Sequence, residues 1–430
     1  MNVFTELESN VRSYSRAFPA VFSRAQGATL IDETGKEYVD FLSGAGSLNY
    51  GHNNPLLKRV LLDYIESDGI VHGLDLATEA KRRFLECFRT TVLEPRRLRY
   101  RVQFTGPTGT NAVEAALKVA RKATGRSTIV AFTNGFHGVT LGAVAATGNV
   151  HYRGAAGIAT SGVTFVPYDG YLGSDVDTTQ YLDRVLSDRG SGVDRPAAVI
   201  VETVQGEGGL NAARSTWLRN LERVCRRHGM LLIVDDIQAG CGRTGPFFSF
   251  EAAGLSPDLV TLSKSLSGYG LPFSILLLKP ELDTWQPGEH NGTFRGNNLA
   301  FVTATQTLAS YWRDDRLRDA VERKAQRVRA RLGDIATRDQ DARLTVRGRG
   351  LMQGLDCSTG ARAARISAAS FEQGLIIETS GAEGQVIKCL CPLTIGDADL
   401  ERGLDILEQS VAGTLDHEAA ASGALAGVGG

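Results

Sequence analysis

Met230-Leu-Leu-Ile-Val-Asp-Asp-Ile-Gln238 and, further on, Leu259-Val-Thr-Leu-Ser-Lys-Ser265 decide how this chain is read. Each opens on a short apolar run that polar residues break at once, the pattern of a buried strand. Laid parallel in an α/β sheet, the two strands deliver Asp235 and Lys264, just past their carboxyl ends, into one crevice, where such sheets bind ligands. Either residue alone is equally compatible with a helix cap or a solvated charge, so the pair needs support from the rest of the chain.

Upstream, Thr105-Gly-Pro-Thr-Gly-Thr110 feeds Asn111-Ala-Val-Glu-Ala-Ala-Leu-Lys-Val-Ala-Arg121, whose composition and apolar spacing predict a helix. A glycine-containing loop at a helix N-terminus offers free backbone N–H groups, the positive end of the dipole and, here, threonine hydroxyls. That makes a phosphate seat, with a capped helix holding no anion as the alternative; the spacing of a Walker loop is absent. Thr128-Ile-Val-Ala-Phe132, Val163-Thr-Phe-Val166 and Ala197-Ala-Val-Ile-Val-Glu202 read as further strands, with a helical stretch from Thr178 to Leu186 between the last two. Such alternation argues for right-handed βαβ units and a parallel sheet. In Asn134-Gly-Phe-His-Gly138 the ring of Phe136 stands among glycines, where it can cover a flat ligand or simply pack. Glu202 ends its strand, and Gln205-Gly-Glu-Gly-Gly209 brings a second acid, Glu207, to the same edge.

Gly240-Cys-Gly-Arg-Thr-Gly245 matches the dinucleotide fingerprint G-x-G-x-x-G literally. Pro246 and three phenylalanines follow where a helix should open, so the match is rejected. Downstream lie a strand at Ser274–Lys279, the polar loop Gly292-Thr-Phe-Arg-Gly-Asn297, a helix from Leu299 to Trp312 and a charged helical run from Asp315 to Gly333. The segments Arg347–Leu355, Gly374–Ile377 and Gln385–Leu390 predict a smaller α+β domain, and residues 418–430 are low in complexity and expected to be disordered.

Composition excludes several classes. A chain of 430 residues with 42% hydrophobic and 22% charged residues and a net charge of -1 gives no sign of nucleic acid or a membrane surface as partner. The N-terminus lacks a secretory pattern and no apolar run is long enough to span a bilayer, so a cytoplasmic protein is expected. Six scattered cysteines have no metal-ligand or disulfide spacing, and no metal site is predicted.

A lysine and an aspartate converging on a dry cleft suit pyridoxal phosphate, whose aldehyde takes a lysine amine and whose ring nitrogen is held protonated by an anion. Together with Tyr50-Gly-His-Asn-Asn-Pro55, the phosphate-seat loop and Cys391-Pro-Leu-Thr-Ile395, the stretches Val234–Gly245 and Pro257–Gly268 resemble the class III aminotransferases over nearly the whole chain. The resemblance implies fold type I: α/β, a large mostly parallel sheet domain with helices on both faces (51–300), plus a smaller α+β domain built from residues 1–50 and 301–417. It implies pyridoxal 5'-phosphate as cofactor, Lys264 as Schiff-base lysine and Asp235 as partner of the ring nitrogen. Gln238 would reach the phenolic oxygen, Phe136 would stack on the ring with His137 and Glu202 beside it, and Gly109 and Thr110 would hold the phosphate. Thr293 matches a threonine that the neighbouring subunit contributes in this family, which implies a homodimer as the minimal catalytic unit, with tetramers or larger assemblies open.

The expected substrates are an amino acid and a 2-oxo acid. Leu48–Pro55, Ser67–Leu74, Thr105–Ala112, Asn134–Gly138 and Ile387–Pro392 resemble the branch that moves the distal amino group of L-2,4-diaminobutyrate to 2-oxoglutarate, a reversible reaction whose other direction feeds ectoine synthesis. Ornithine, acetylornithine or another diamino acid as donor, or an aminomutase on the same fold, are the alternatives. Substrate-facing residues are Glu207, which matches an acid of the family, and Lys388, which stands where many relatives carry an arginine for the second carboxylate. Because a lysine lacks the planar fork, Arg295 is a further candidate for that contact.

Overall fold

The structure, a computed structural model, describes residues 3–338 and 341–426. After two short helical turns, β1 (Phe22–Gln26), β2 (Thr29–Asp32) and β3 (Glu37–Asp40) form an antiparallel meander. Helices α1 (Pro55–Glu66) and α2 (Glu79–Phe88) follow; α1 opens on a proline at its first position, with the Asn54 side chain accepting from Leu56 N at 3.1 Å.

The large domain runs through β4 (Arg101–Phe104), α3 (Gly109–Thr124), β5 (Ile129–Phe132), β6 (Val163–Val166), α4 (Thr178–Ser187), β7 (Ala198–Val201), α5 (Ser215–His228), β8 (Leu231–Asp235), β9 (Leu259–Leu262) and β10 (Ile275–Leu278). Its seven strands lie in the order β4-β10-β9-β8-β7-β5-β6, all pairs from β9 to β6 being parallel. Only β10 runs against its neighbours, pairing antiparallel with both β9 and β4. The strands read as unbroken apolar runs because both faces are covered. Ile129, Ala131, Ile200 and Ile233 join the core beneath α3, while Val130, Phe132, Val201 and Leu232 join the core that holds Trp217, Leu218 and Leu221 of α5. Chain order reverses between β5 and β7, and a crevice opens at the carboxyl ends there, as expected at a topological switch point.

Helix α6 (Asn298–Tyr311) packs on α1 and α2. The chain then builds α7 (Arg316–Arg338), β11 (Thr345–Arg349), β12 (Met352–Asp356), α8 (Gly360–Glu372), β13 (Leu375–Ile376), β14 (Glu378–Ser380), β15 (Val386–Cys389) and α9 (Asp397–Ala426). Strands β11-β12-β15-β14 form an antiparallel sheet, and β13 pairs parallel with β3, so residues from both ends of the chain share one sheet.

The expectation of a disordered tail from residue 418 is corrected for residues 418–426, because α9 continues to Ala426. Glu418 on α9 is fastened to Arg362 at 2.9 Å and to Arg365, both on α8, an interaction that the alanine-rich composition conceals. Residues 427–430 lie outside the described part. No described helix is long and apolar enough to cross a membrane.

Candidate active site

The two residues of the opening stretch meet as their strands require. Asp235 is the last residue of β8 and Lys264 lies just beyond the end of the parallel neighbour β9. Both line a cavity of about 380 Å³, a size suited to a small organic ligand. The Asp235 carboxylate is buried and fixed on both oxygens: Oδ2 is 2.7 Å from His137 Nδ1, and Oδ1 accepts from Ile237 N at 3.2 Å and Thr261 Oγ1 at 3.1 Å. Lys264 occupies the left-handed backbone region, φ 47°, a conformation that costs a non-glycine residue energy and tends to mark functional positions. Its Nζ donates to the Ala45 carbonyl at 2.7 Å. Burial holds the Lys264 ammonium below the usual lysine pKa, with Glu207 opposing that shift.

The remaining walls come from the loops that the switch point gathers. Gly109 and Thr110 form the first turn of α3, where backbone N–H groups lack intrahelical partners. A Cβ at Gly109 would come within 2.9 Å of Ile237 Cδ1, so glycine allows the turn to lie against the loop after β8. Phe136 and His137 line the cavity from the loop after β5. The Glu202 carboxylate ties that loop to its own, accepting from Phe136 N at 2.9 Å and Gly206 N at 3.2 Å. Burial raises Glu202 to about 7 against the pull of His137, while Asp235 raises it further. Burial opposes charge on His137, yet the hydrogen bond and charge of Asp235 win and raise its pKa.

Gln238 and Glu207 close the side toward the small domain. Gln238 Nε2 donates to Ala45 O at 3.0 Å and to Glu207 Oε1 at 3.2 Å. Glu207 Oε1 also accepts from Lys388 Nζ at 2.7 Å. Lys388 is fully buried and has a second acid, with Nζ 3.0 Å from Glu378 Oε1. Tyr14, in the short helix Tyr14–Ala17, donates its hydroxyl to Glu378 Oε2 at 3.2 Å. Burial opposes ionisation of Glu207, but the Lys388 ammonium, aided by Lys264, overrides it and holds the carboxyl at about 2.

Of the residues singled out by sequence, Gly109, Thr110, Phe136, His137, Glu202, Glu207, Asp235, Gln238 and Lys264 line one cavity. Lys388 sits behind Glu207 rather than on the wall. Thr293 and Arg295 do not line this chain's own cavity. They ride an exposed turn on which the Thr293 carbonyl lies 2.7 Å from His72 Nε2 and the Arg295 guanidinium is paired with Asp75. Within this chain Arg295 is paired with Asp75, and no arginine is among the residues that line the cavity. Arg243, inside the rejected glycine motif, is buried and donates to the carbonyls of Leu351 at 3.1 Å and Cys391 at 2.6 Å, which joins the two domains. Sequence reasoning missed Ala45, Tyr14 and Glu378. Glu378 carried a usable signal, since it follows the apolar run Leu375–Ile377 as Asp235 and Glu202 follow theirs.

The model of the family described as aminotransferase class-III matches residues 11–411. The chain belongs to the class III aminotransferases. It is 60% identical over 411 residues to the diaminobutyrate–2-oxoglutarate transaminase of Halomonas elongata, covering 95% of this chain and 98% of the relative. The protein of the same name from Bordetella parapertussis is 59% identical over 426 residues, 99% of this chain and 98% of the relative. An aminotransferase of Sinorhizobium fredii described as uncharacterized is 62% identical over 412 residues, 96% of this chain and 92% of the relative. Among solved structures, the ornithine aminotransferase of Toxoplasma gondii superposes with a TM-score of 0.84 at 26% identity, covering 96% of this chain and 94% of that one. A second structure of that enzyme has pyridoxal phosphate at partial occupancy in its active site.

Class III aminotransferases depend on pyridoxal phosphate, and the residues present fit it. The cavity combines a buried lysine amine, a buried carboxylate, a phenyl wall and a glycine-cradled helix N-terminus, the donor set that an aldehyde, a pyridine nitrogen, a flat ring and a phosphate require. Among the described residues no group of three or more His, Cys, Asp or Glu is arranged to hold a metal ion.

Proposed function

We propose that this class III aminotransferase moves the 4-amino group of L-2,4-diaminobutyrate to 2-oxoglutarate, reversibly, giving L-aspartate 4-semialdehyde and L-glutamate. The carrying observation is the near full-length likeness to relatives of that name at 56–60% identity. The geometry supports the reading: Gln238 links the cavity to a cluster of two acids and a lysine, groups suited to a charged substrate.

Bound pyridoxal phosphate supplies an electron sink for the carbon that bears the transferred amine. Lys264 would hold the cofactor through its Nζ and, as a free amine, would move a proton to and from the substrate carbon. Burial, by lowering its pKa, favours the neutral amine that a base needs. Asp235 would hold the ring nitrogen protonated, and His137 fixes its carboxylate at Oδ2. Gly109 and Thr110 would seat the phosphate, Phe136 would cover the ring, and Gln238 would serve its phenolic oxygen. Glu202 positions the Phe136 loop.

The reading extends to a homodimer in which the partner copy's equivalent of Thr293 completes the phosphate seat. Thr293 is exposed here, as a residue shared with a partner copy must be.

A panel of amine donors with 2-oxoglutarate, read as glutamate formed, tests the substrate. L-2,4-diaminobutyrate is expected to give the highest kcat/KM. Ornithine exceeding it would overturn the substrate, and absence of glutamate from every donor would overturn the reaction.

A further inference from the structure

Between β3 and α1 the chain makes a turn of left-handed sense. Ser43, Gly44, Ala45 and Gly46 have φ of 48°, 57°, 56° and 81°, and the turn is closed by Gly46 N to Leu42 O at 3.1 Å and Ser47 N to Ser43 O at 2.9 Å. L-residues enter the left-handed region singly and at a cost, yet two of these neighbours carry a Cβ. The Ser43 hydroxyl is also buried with no hydrogen-bond partner among the described residues. Strain of this kind persists only where the surroundings fix it, and it gathers at functional sites.

What fixes the turn lies on both sides of it. On one side, Asp40 Oδ1 accepts from Leu42 N and Ser43 N, both at 2.8 Å, and Oδ2 lies 2.8 Å from His52 Nε2. His52 is itself anchored, its N donating to Gly27 O at 2.9 Å and its O accepting from Gly27 N at 2.8 Å. The Asp40–His52 contact thus closes the loop that contains the turn. On the other side the turn meets the segment of Lys264. Ala45 O accepts from Lys264 Nζ at 2.7 Å and Gly46 O from Ser265 Oγ at 2.8 Å, while Asn49 N donates to Ser265 Oγ at 3.1 Å. Lys264 is left-handed too, φ 47°, so two strained backbones interlock where the amine stands.

The hand of the turn sets the direction of its carbonyls, and a carbonyl suits this amine. It accepts an N–H from the ammonium and from the neutral amine alike, whereas a carboxylate in its place would hold the proton. A neutral amine that donates one N–H to Ala45 O has its lone pair turned away from that bond. We propose that the Asp40–His52 clasp and the left-handed turn it closes are a positioning device for Lys264, the Ala45 carbonyl fixing the amine for attack on the cofactor's aldehyde. This rests on the role given to Lys264 in the transamination proposed above. In that attack the nitrogen of the neutral amine bonds to the aldehyde carbon, and the aldehyde oxygen leaves as water with the two amine protons. Asp40 and His52 do not line the cavity; they act through the turn.

Pyridoxal phosphate and pyridoxamine phosphate share ring and phosphate, but only the first has an aldehyde for Lys264, so together they separate the amine from the seat. In apoenzyme, His52→Leu is expected to slow capture of pyridoxal phosphate about tenfold or more, since small misplacement of a reacting group is costly. Affinity for pyridoxamine phosphate should stay close to wild type. His52→Gln, whose amide still donates to Asp40, should recover most of the lost rate. Asp40→Asn, which keeps an oxygen for Leu42 N and Ser43 N, should slow capture by a smaller factor, and decides the matter if His52→Leu does not fold. Unchanged capture in the variant measured, or equal losses with both ligands, would overturn the proposal. So would a Lys264→Ala variant that binds pyridoxal phosphate as tightly as wild type. A wild type that captures pyridoxal phosphate through Lys264 but makes no glutamate from any donor would remove the function proposed above and leave the clasp standing.

Discussion

At the scale of single residues the site is a set of buried charges whose partners decide their value. Replacing Lys264 with alanine would remove both the proposed covalent hold and the proposed base, and steady-state glutamate formation is expected to fall to background; a variant that still turned over would sink its role. Lys388→Ala would leave Glu207 and Glu378 facing each other without a cation. Breaking a buried pair this way costs about 3–5 kcal/mol, a loss that denaturant unfolding of the variant would read directly; stability within 1 kcal/mol of wild type would contradict the picture. Asp236 gives a pH test outside the chemistry. Burial raises its carboxyl to about 7, and its Oδ1 has no partner. The folded state thus holds a proton that the unfolded chain gives up near pH 4. Stability should fall as pH rises from about 4 to 7, by up to about 4 kcal/mol from this group. Unfolding of Asp236→Asn should lack that slope and exceed wild type at pH 8; an unchanged slope would contradict it. That Asp235 and Lys264 share a cavity was legible in sequence because each follows an apolar run. Glu378 ends one too, but nothing local says that its strand lies beside Lys388.

At the scale of elements, the phosphate seat depends on how closely α3 approaches the loops after β5 and β8. Gly138 has φ 122°, and a Cβ there would lie 2.4 Å from Thr110 Oγ1. Gly138→Ala should therefore displace Thr110 and strain the loop, weakening cofactor affinity about tenfold or more with the circular dichroism of the fold retained. Titration of apoenzyme with pyridoxal phosphate measures this, and unchanged affinity would show that the seat tolerates the shift. Both α3 and the strand ends around it could be read from composition and period, since a helix beside a parallel sheet obeys local rules. The Ala45 carbonyl, which holds Lys264 and Gln238, could not, because it reaches the site from the N-terminal segment through packing alone. The end of α9 was misjudged for the same reason: alanine and glycine suggested disorder, and the Glu418 contacts with α8 are tertiary.

At the scale of the whole molecule, the sheet order brings together loops more than a hundred residues apart, and both ends of the chain build the small domain that closes the cavity. The Glu207–Lys388 contact ties the loop after β7 to the small-domain sheet. The proposed function has a second copy's Thr293 complete the phosphate seat. Cofactor affinity should then fall on dilution as dimers dissociate, and Thr293→Ala should weaken it without changing the molar mass in solution. Affinity independent of protein concentration and unaffected by Thr293→Ala would place the whole seat within one chain. The most direct test of the account is a single half-reaction. L-2,4-diaminobutyrate is added to the pyridoxal phosphate-loaded enzyme without any oxo acid, and the absorbance of the cofactor is followed. The account predicts full conversion of the aldehyde form to the amine form, faster than with equal ornithine or 4-aminobutyrate, and return of the aldehyde form with glutamate released when 2-oxoglutarate is added. No conversion, or faster conversion by ornithine, would contradict it.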